Sequence, residues 1–388
     1  MAGLTVNNPV MLTNALSSER IIPGDVLLLK AGTYTGDYVC SWQGTKANPI
    51  IIRPYGDGPV IIDGTFTLKD FVQVYDIDFT DTRPNRLWEY YGKGAAYGIT
   101  VSGHGNHLHG CSIQQMRSDG VNWYDSELDN AGEISENVFL LNGDRFSDGS
   151  GHGHSLYSHN DAGGRRIIAR NSMYLNLGAY TLQLYSADNH TDDYTIDSNI
   201  FMGPITPGGH FGPNNLVFQN NINYLYPVHI AYLMGGHTCN NILMDSNTFI
   251  DCSTFTVGGD PGVLTNLVET NNVVYGGQPS SRDGYAFTAK PATLVRITPF
   301  TKSARWLGML SIYNRDSAAT VVVDFSSLLT NGNYKLMNTQ NLTETWNFTY
   351  SGAPINVPTN FTSGAFIGDD YVASTTWPVF GAFVVMAQ

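Results

Sequence analysis

SLYSHNDAGGRRIIARNSMYLNLGAYTLQLYSA, residues 155 to 187, decides how the rest of the chain is read. Its pieces SLYSH and TLQLY alternate apolar and polar positions, and the IIARNSMYLN between them does so more loosely. That is the period-2 pattern of strands with one buried face. The polar positions hold His, Tyr, Gln and Arg, where a purely structural strand more often carries Thr, Ser or Lys.

Working outward, an asparagine stands ahead of an apolar strand start at Asn137 (NVFLLN), Asn171 (NSMYLN), Asn199 (NIFMG), Asn221 (NINYLY), Asn247 (NTFID) and Asn272 (NVVYGG). Successive differences are 34, 28, 22, 26 and 25 residues. These fit one solenoid coil per repeat, with the longer gaps hosting loops. Stacked Asn side chains can hydrogen-bond along a turn column, and Asn tolerates the left-handed backbone such a turn needs.

Aligning the coils on these asparagines stacks SDGVNWYD (118–125), GHSLYSHN (153–160), AYTLQLYS (179–186) and PVHIAYLM (227–234) as neighbouring strands. With Val121, Leu156 and Leu182 inward, Asn122, Tyr157 and Gln183 face outward in one column and Tyr124, His159 and Tyr185 in the next. Stacked strands lie about 4.8 Å apart, so the six side chains form one polar and aromatic patch. The same alternation turns His154 inward, onto a backbone group, and sets it opposite His159, which argues against a zinc site built from His152, His154 and His159.

The composition agrees with a turn-rich all-β protein. The chain has 388 residues, of which 14% are charged, with 41 Gly and 22 Tyr; an average globular domain has about 25% charged residues. The formal net charge of -13 disfavours a nucleic-acid partner. An anionic polysaccharide would meet the same repulsion and would need a local cationic site. Cys40, Cys111, Cys239 and Cys252 are too few and too scattered for a disulfide framework and form no CxxC pair, so they read as small buried hydrophobes. The start MAGLTVNNPVMLTNALSSER carries neither a basic n-region nor an apolar run, so neither signal peptide nor membrane span is expected.

At the N-terminus, Asn7 or Asn8 can cap a short helix starting at Pro9, followed by strands at Val26 to Leu29, 49–55 and 59–64. The run GDVLLLKAGTYTGDYVCSWQGTKANPIIIRPYGDGPVIIDG (24–64) resembles the N-terminal cap and first coils of right-handed parallel β-helix proteins of the pectate-lyase-like superfamily. The Asn repeat stops in GGQPSSRDGYAFTAKPA (276–292), and WLGMLSIYNRD, ATVVVDFSSLL, GNYKLMNTQN, TWNFTYSG, INVP and VFGAFVVMA then read as alternating strands of a small antiparallel β-sandwich. That part resembles the C-terminal β-sandwich attached to many carbohydrate-active enzymes. The expected fold is therefore all-β, a right-handed parallel β-helix over 1–285 with an N-terminal capping helix, then a β-sandwich over 286–388.

The central segment also resembles a GHGHGIYxQN-type stretch of many lyase-like β-helix proteins, through His152, Gly153, His154, Leu156, Tyr157 and Asn160. It departs at Ser155, where that group has Gly, and at His159, where it has Gln; a side chain at Ser155 is expected to narrow the floor of the site. The resemblance implies a carbohydrate-active enzyme outside the cell or on a virion, with a polysaccharide as partner and a monomer favoured.

Three chemistries compete. A β-eliminating lyase would use Arg165 or Arg166 to neutralise a uronate carboxylate, His159 or Tyr157 as base, and Tyr185 or Tyr157 as acid. Asn122, Tyr124, His152, Gln183, Arg165 and, from the aromatic insertion 81–98, Trp88 with Tyr90 and Tyr91 would bind the polymer. A glycoside hydrolase would need two carboxylates about 5 to 9.5 Å apart, and Asp119, Asp125, Glu127, Asp148, Asp161 and Asp188 are candidates that the sequence alone does not pair. The third reading is a non-catalytic glycan-binding or tail-spike-like protein. The sequence specifies no cofactor; calcium is the ion that the Asp144/Asp148/Asp161 loop region could take through oxygen ligands, without the spacing of a known loop motif.

Overall fold

The structure, a computed structural model, describes residues 3–82, 97–124, 131–145, 151–160, 164–176, 180–185, 191–209, 213–233, 238–258, 263–276, 282–360, 362–367, 370–376 and 379–388. Two compact units, Met1–Phe287 and Thr288–Gln388, make up the chain.

The first unit is a parallel β-solenoid. Each coil contributes one strand to each of three parallel sheets; among the described residues the first and second hold eleven strands and the third ten. Short apolar strands suit this arrangement because each coil buries its inward residues only when stacked on its neighbours. In the first sheet Leu27, Ile52, Val74, Leu108, Ile134, Ile168, Ile196 and Phe218 follow one another in register, each 0–1% exposed. A buried side chain of this size contributes roughly 1.5–3 kcal/mol of apolar transfer.

The six repeat asparagines occupy the corner between first and second sheets, all at most 1% exposed. From each coil to the next, the backbone N–H and Nδ2 of one Asn both donate to Oδ1 of the following Asn, at 2.9–3.1 Å. The other Nδ2 hydrogen goes to a backbone carbonyl in the preceding strand, as from Asn171 to Ile134 O. The left-handed conformation falls on the residue ahead of each asparagine, not on the asparagine: Glu136, Arg170, Ser198, Asn220, Ser246 and Asn271 have φ between 53° and 62°. Asn is therefore selected at this corner for its side-chain hydrogen bonds rather than for its backbone tolerance.

The N-terminal opening is closed by helix Pro9–Leu16, whose N-cap Asn8 accepts from Met11 N–H at 2.9 Å. Leu12, Ala15 and Leu16 face the core, and the Trp42 indole N–H donates to Ala15 O at 2.9 Å. All four cysteines are buried free thiols. No helix among the described residues is long and apolar enough to cross a membrane.

The second unit is antiparallel. Strands Thr293–Pro299, Gly308–Asn314, Phe380–Ala387, Gly332–Asn338 and Thr345–Tyr350 form one sheet in that spatial order, and Thr320–Val323 pairs with Ile355–Pro358. Leu310, Ile312, Leu336, Phe383 and Val385 from the five-stranded sheet share a core with Val321, Val323 and Val357 of the pair. A further hairpin, Thr362–Ile367 with Asp370–Thr376, completes it.

Candidate active site on the third sheet

The third sheet carries the polar face. Thr67, Thr100, Asn122, Tyr157, Gln183 and Thr206 stand in register on successive strands, while their neighbours Val121, Leu156, Leu182 and Ile205 are fully buried in the core. The strand Ile205–Gly209 separates Leu182–Leu184 from Val228–Ile230, so PVHIAYLM is one coil farther from the patch than the sequence alignment put it. Its composition, ITPGG, carries turn residues and no alternation, which is why it does not read as a strand.

The second outward column forms as the register dictates. The Tyr124 and His159 rings are 4.7 Å apart, Tyr157 stands edge-on to His159 at 6.1 Å, and Tyr185 N–H donates to Ser158 O at 3.2 Å. Asn122 sits at the floor, 1% exposed, donating to Asp119 Oδ2 at 3.0 Å and to the Tyr124 hydroxyl.

A carboxylate and an imidazole that the strand pattern kept apart meet beside these columns. Asp119 Oδ1 accepts from the backbone N–H of His154 and pairs with His154 Nδ1, both at 2.8 Å, in a site where the two side chains are each 7% exposed. The His154 ring is 5.1 Å from the Tyr157 ring and 6.4 Å from that of Tyr180, parallel to the latter. His154 thus lies beside Tyr157 on the outer side, not inward: the strand begins only at Leu156, so alternation does not reach back to residue 154. Ser155, expected on the floor of the site, is fully buried for the same reason. The signal that could have found the pair is positional, since SDG before one strand and GHS before the next occupy equivalent places one coil apart.

Burial, then the negative charge of Asp119, then the neighbouring Tyr185, Tyr97 and Tyr194 push the Tyr157 phenol far above its ordinary pKa. Tyr124 moves the same way, chiefly through burial and its hydrogen bond with Tyr97. Both phenols therefore stay protonated at neutral pH and act as hydrogen-bond donors.

Arg166 corrects the sequence reading. It opens strand Arg166–Ala169 in the first sheet, and the parity that buries Ile168 carries Arg166 into the coil interior as well, 1% exposed. Its guanidinium lies 4.4 Å from the Trp123 ring centroid and donates to Trp123 O at 2.8 Å and Ser158 Oγ at 2.6 Å. It underlies the strand ends that present Tyr124 and His159, and does not face the polymer side. Arg165 is exposed and stands outside the ring network. Trp88, Tyr90, Tyr91, Asp125, Glu127, Asp148, Asp161, Asp188 and the side chains of Asp144 and His152 lie outside the described residues, and with them the calcium region; the backbone of Gly151–His152 pairs antiparallel with Asp144–Arg145.

No protein-family model and no curated protein sequence matches the chain. Solved structures do. A mannuronic acid specific polysaccharide family 6 lyase from human gut microbiota aligns at 14% identity and TM-score 0.44, over 75% of this chain and 92% of its own. An alginate lyase from Paenibacillus sp. str. FPU-7 aligns at 15% and 0.46, over 68% and 98%, and pectate lyase Pel9A at 14% and 0.28, over 65% and 72%. At these identities and scores the likenesses identify no reaction for this chain.

Proposed function

We propose that the protein is a carbohydrate-active enzyme, a polysaccharide lyase that cleaves a uronate-containing polymer by β-elimination on the outer face of the third sheet. The observation that carries this reading is the cluster of His159, Tyr157, Tyr124 and Tyr185 around the Asp119–His154 pair. Proton transfer is what such a set does well, and the one carboxylate described in the cluster is already occupied by three donors, whereas hydrolysis calls for two working carboxylates.

The roles follow from protonation states. The raised pKa of Tyr157 keeps the phenol protonated and leaves no phenolate to serve as base, so His159 takes the proton from C5 while the Tyr157 hydroxyl, the proton carrier of the pair, gives one to the departing O4. The C4–O4 bond breaks as the C4=C5 double bond forms, and no redox partner is needed. Gln183, half-buried beside Tyr157 in the column, and the exposed Arg165 would hold the uronate carboxylate against the chain's net charge. Asn122 and Tyr124 shape the floor. Such a substrate fits an extracellular or virion setting, with the monomer as the working unit.

The test is a panel of uronate and neutral polysaccharides followed at once by ultraviolet absorbance of unsaturated ends and by reducing ends, with and without EDTA. Absorbance rising in step with reducing ends supports elimination. Reducing ends without absorbance would move the reaction to hydrolysis, with Asp119 and the loop carboxylates as the groups to test. Binding without either signal would favour the glycan-binding reading.

A further inference from the structure

The first sheet carries a second cluster, separate from the columns of the third. Strand His107–His109 alternates around the buried Leu108, so both histidines stand on the outer row, beside Glu133 and Ser135 of the next coil. One nitrogen of each histidine and a carboxylate oxygen of Glu133 lie within 4.8 Å of one another. The imidazoles meet edge to face at 5.3 Å.

The hydrogen bonds fix which nitrogens carry lone pairs. Ser135 donates its only hydroxyl proton to Glu133 Oε1 at 2.7 Å, so its contact with His109 Nδ1 at 2.8 Å requires that nitrogen to be the donor. The His109 lone pair is then on Nε2. His107 Nε2 faces the carbonyl of Ala131 at 3.3 Å, an oxygen that can only accept, which leaves the His107 lone pair on Nδ1. Each ring is thus oriented by an outer partner that accepts one of its N–H groups, the arrangement that holds metal-binding histidines.

Charge is compatible. Arg170 lies 3.6 Å from Glu133 but closer, at 3.1 Å, to Glu136, so its guanidinium is shared between two carboxylates and is weighted toward Glu136.

We propose that His107, His109 and Glu133 bind a single divalent transition metal ion, zinc by preference, which clips two successive coils of the solenoid together. Two imidazoles and a carboxylate are a borderline donor set that suits zinc and not calcium, and three protein ligands leave a fourth tetrahedral position for water. The ligand atoms already stand within 4.8 Å of one another, and His107 and Glu133 are half-buried rather than locked in the core. This inference is independent of the proposed reaction.

The experiment uses the intact chain, stripped with chelator and titrated with zinc chloride by calorimetry, alongside thermal melts with zinc or calcium. Expected are one equivalent of zinc bound, a zinc-dependent rise in Tm, and no comparable rise with calcium. His107→Ala and Glu133→Gln, at half-buried positions, should abolish both effects while keeping the wild-type circular dichroism spectrum. Ser135→Ala, which frees the His109 tautomer, should weaken zinc about 10- to 100-fold. A metal-free melt that zinc does not shift would overturn the proposal. So would zinc binding that survives both ligand variants, and its loss instead in His154→Ala or His159→Ala would assign the ion to the third sheet.

Discussion

The corner between the first two sheets and the outer face of the third obey opposite rules. At the corner the same residue returns in six successive coils, because each of these coils poses the same problem there: a tight turn with buried polar groups, solved by one side chain with a donor pair and an acceptor. On the third sheet the register is equally strict, yet Thr100, Asn122, Tyr157, Gln183 and Thr206 at equivalent places differ in size, hydrogen-bonding groups and aromaticity. Repetition marks a demand of the scaffold, and variety at an equivalent position marks a demand of something outside it. Mutations in the two regions should accordingly be felt in different measurements.

The largest separation is expected for Tyr157→Phe. Loss of the phenolic proton should lower kcat on the identified polymer by about 100- to 10,000-fold, or about 2.7 to 5.4 kcal/mol of barrier, with Tm nearly unmoved because the ring remains. A variant that kept full turnover would remove Tyr157 from the chemistry and return the acid role to Tyr185. The opposite signature is expected of Asn199→Ala. Asn199 Oδ1 receives two donors from Asn171, and its Nδ2 serves Ile168 O and Asn221. Leaving those buried groups unpaired should cost about 3 kcal/mol in denaturant unfolding. Turnover per folded molecule should hold. If unfolding were unchanged, the ladder would be ornament and the comparison would fail.

The two regions also differed in how far the sequence disclosed them. The ladder was legible because each asparagine directly precedes its strand, so pattern and function of the residue sit in one window. The outward columns were legible wherever strands alternate, which covers Asn122, Tyr157, Gln183, Tyr124, His159 and Tyr185. Reading failed where alternation stops. His154 and Ser155 precede the strand, and the Asp119–His154 contact joins residues 35 apart through a loop whose shape no local pattern encodes. Arg166 was misread because a cation is costly to bury and is expected outside; here carbonyl, hydroxyl and aromatic partners offset that cost. Strand Ile205–Gly209 was missed because tertiary pairing overrode its turn-like composition.

The smallest effect tests where the active face ends. His229 continues the Gln183 column beyond Thr206, pairing in register with Thr256, and its Nδ1 lies 2.7 Å from Thr256 Oγ1. Burial lowers its pKa below the ordinary 6.5, so the folded chain prefers the neutral ring. The unfolded chain then binds the proton first. The stability contributed by the neutral ring is complete above about pH 6.5 and is lost as pH falls through the lower folded value. Denaturant titrations should show a shallow decline in that acid range which His229→Gln reduces, the amide keeping a partner for Thr256 without titrating. A decline of unchanged slope in the variant would assign the acid sensitivity to other groups. A slope that instead depends on bound polymer would extend the active face two strands past Gln183, since substrate contact and not scaffold burial would then be setting the protonation of His229.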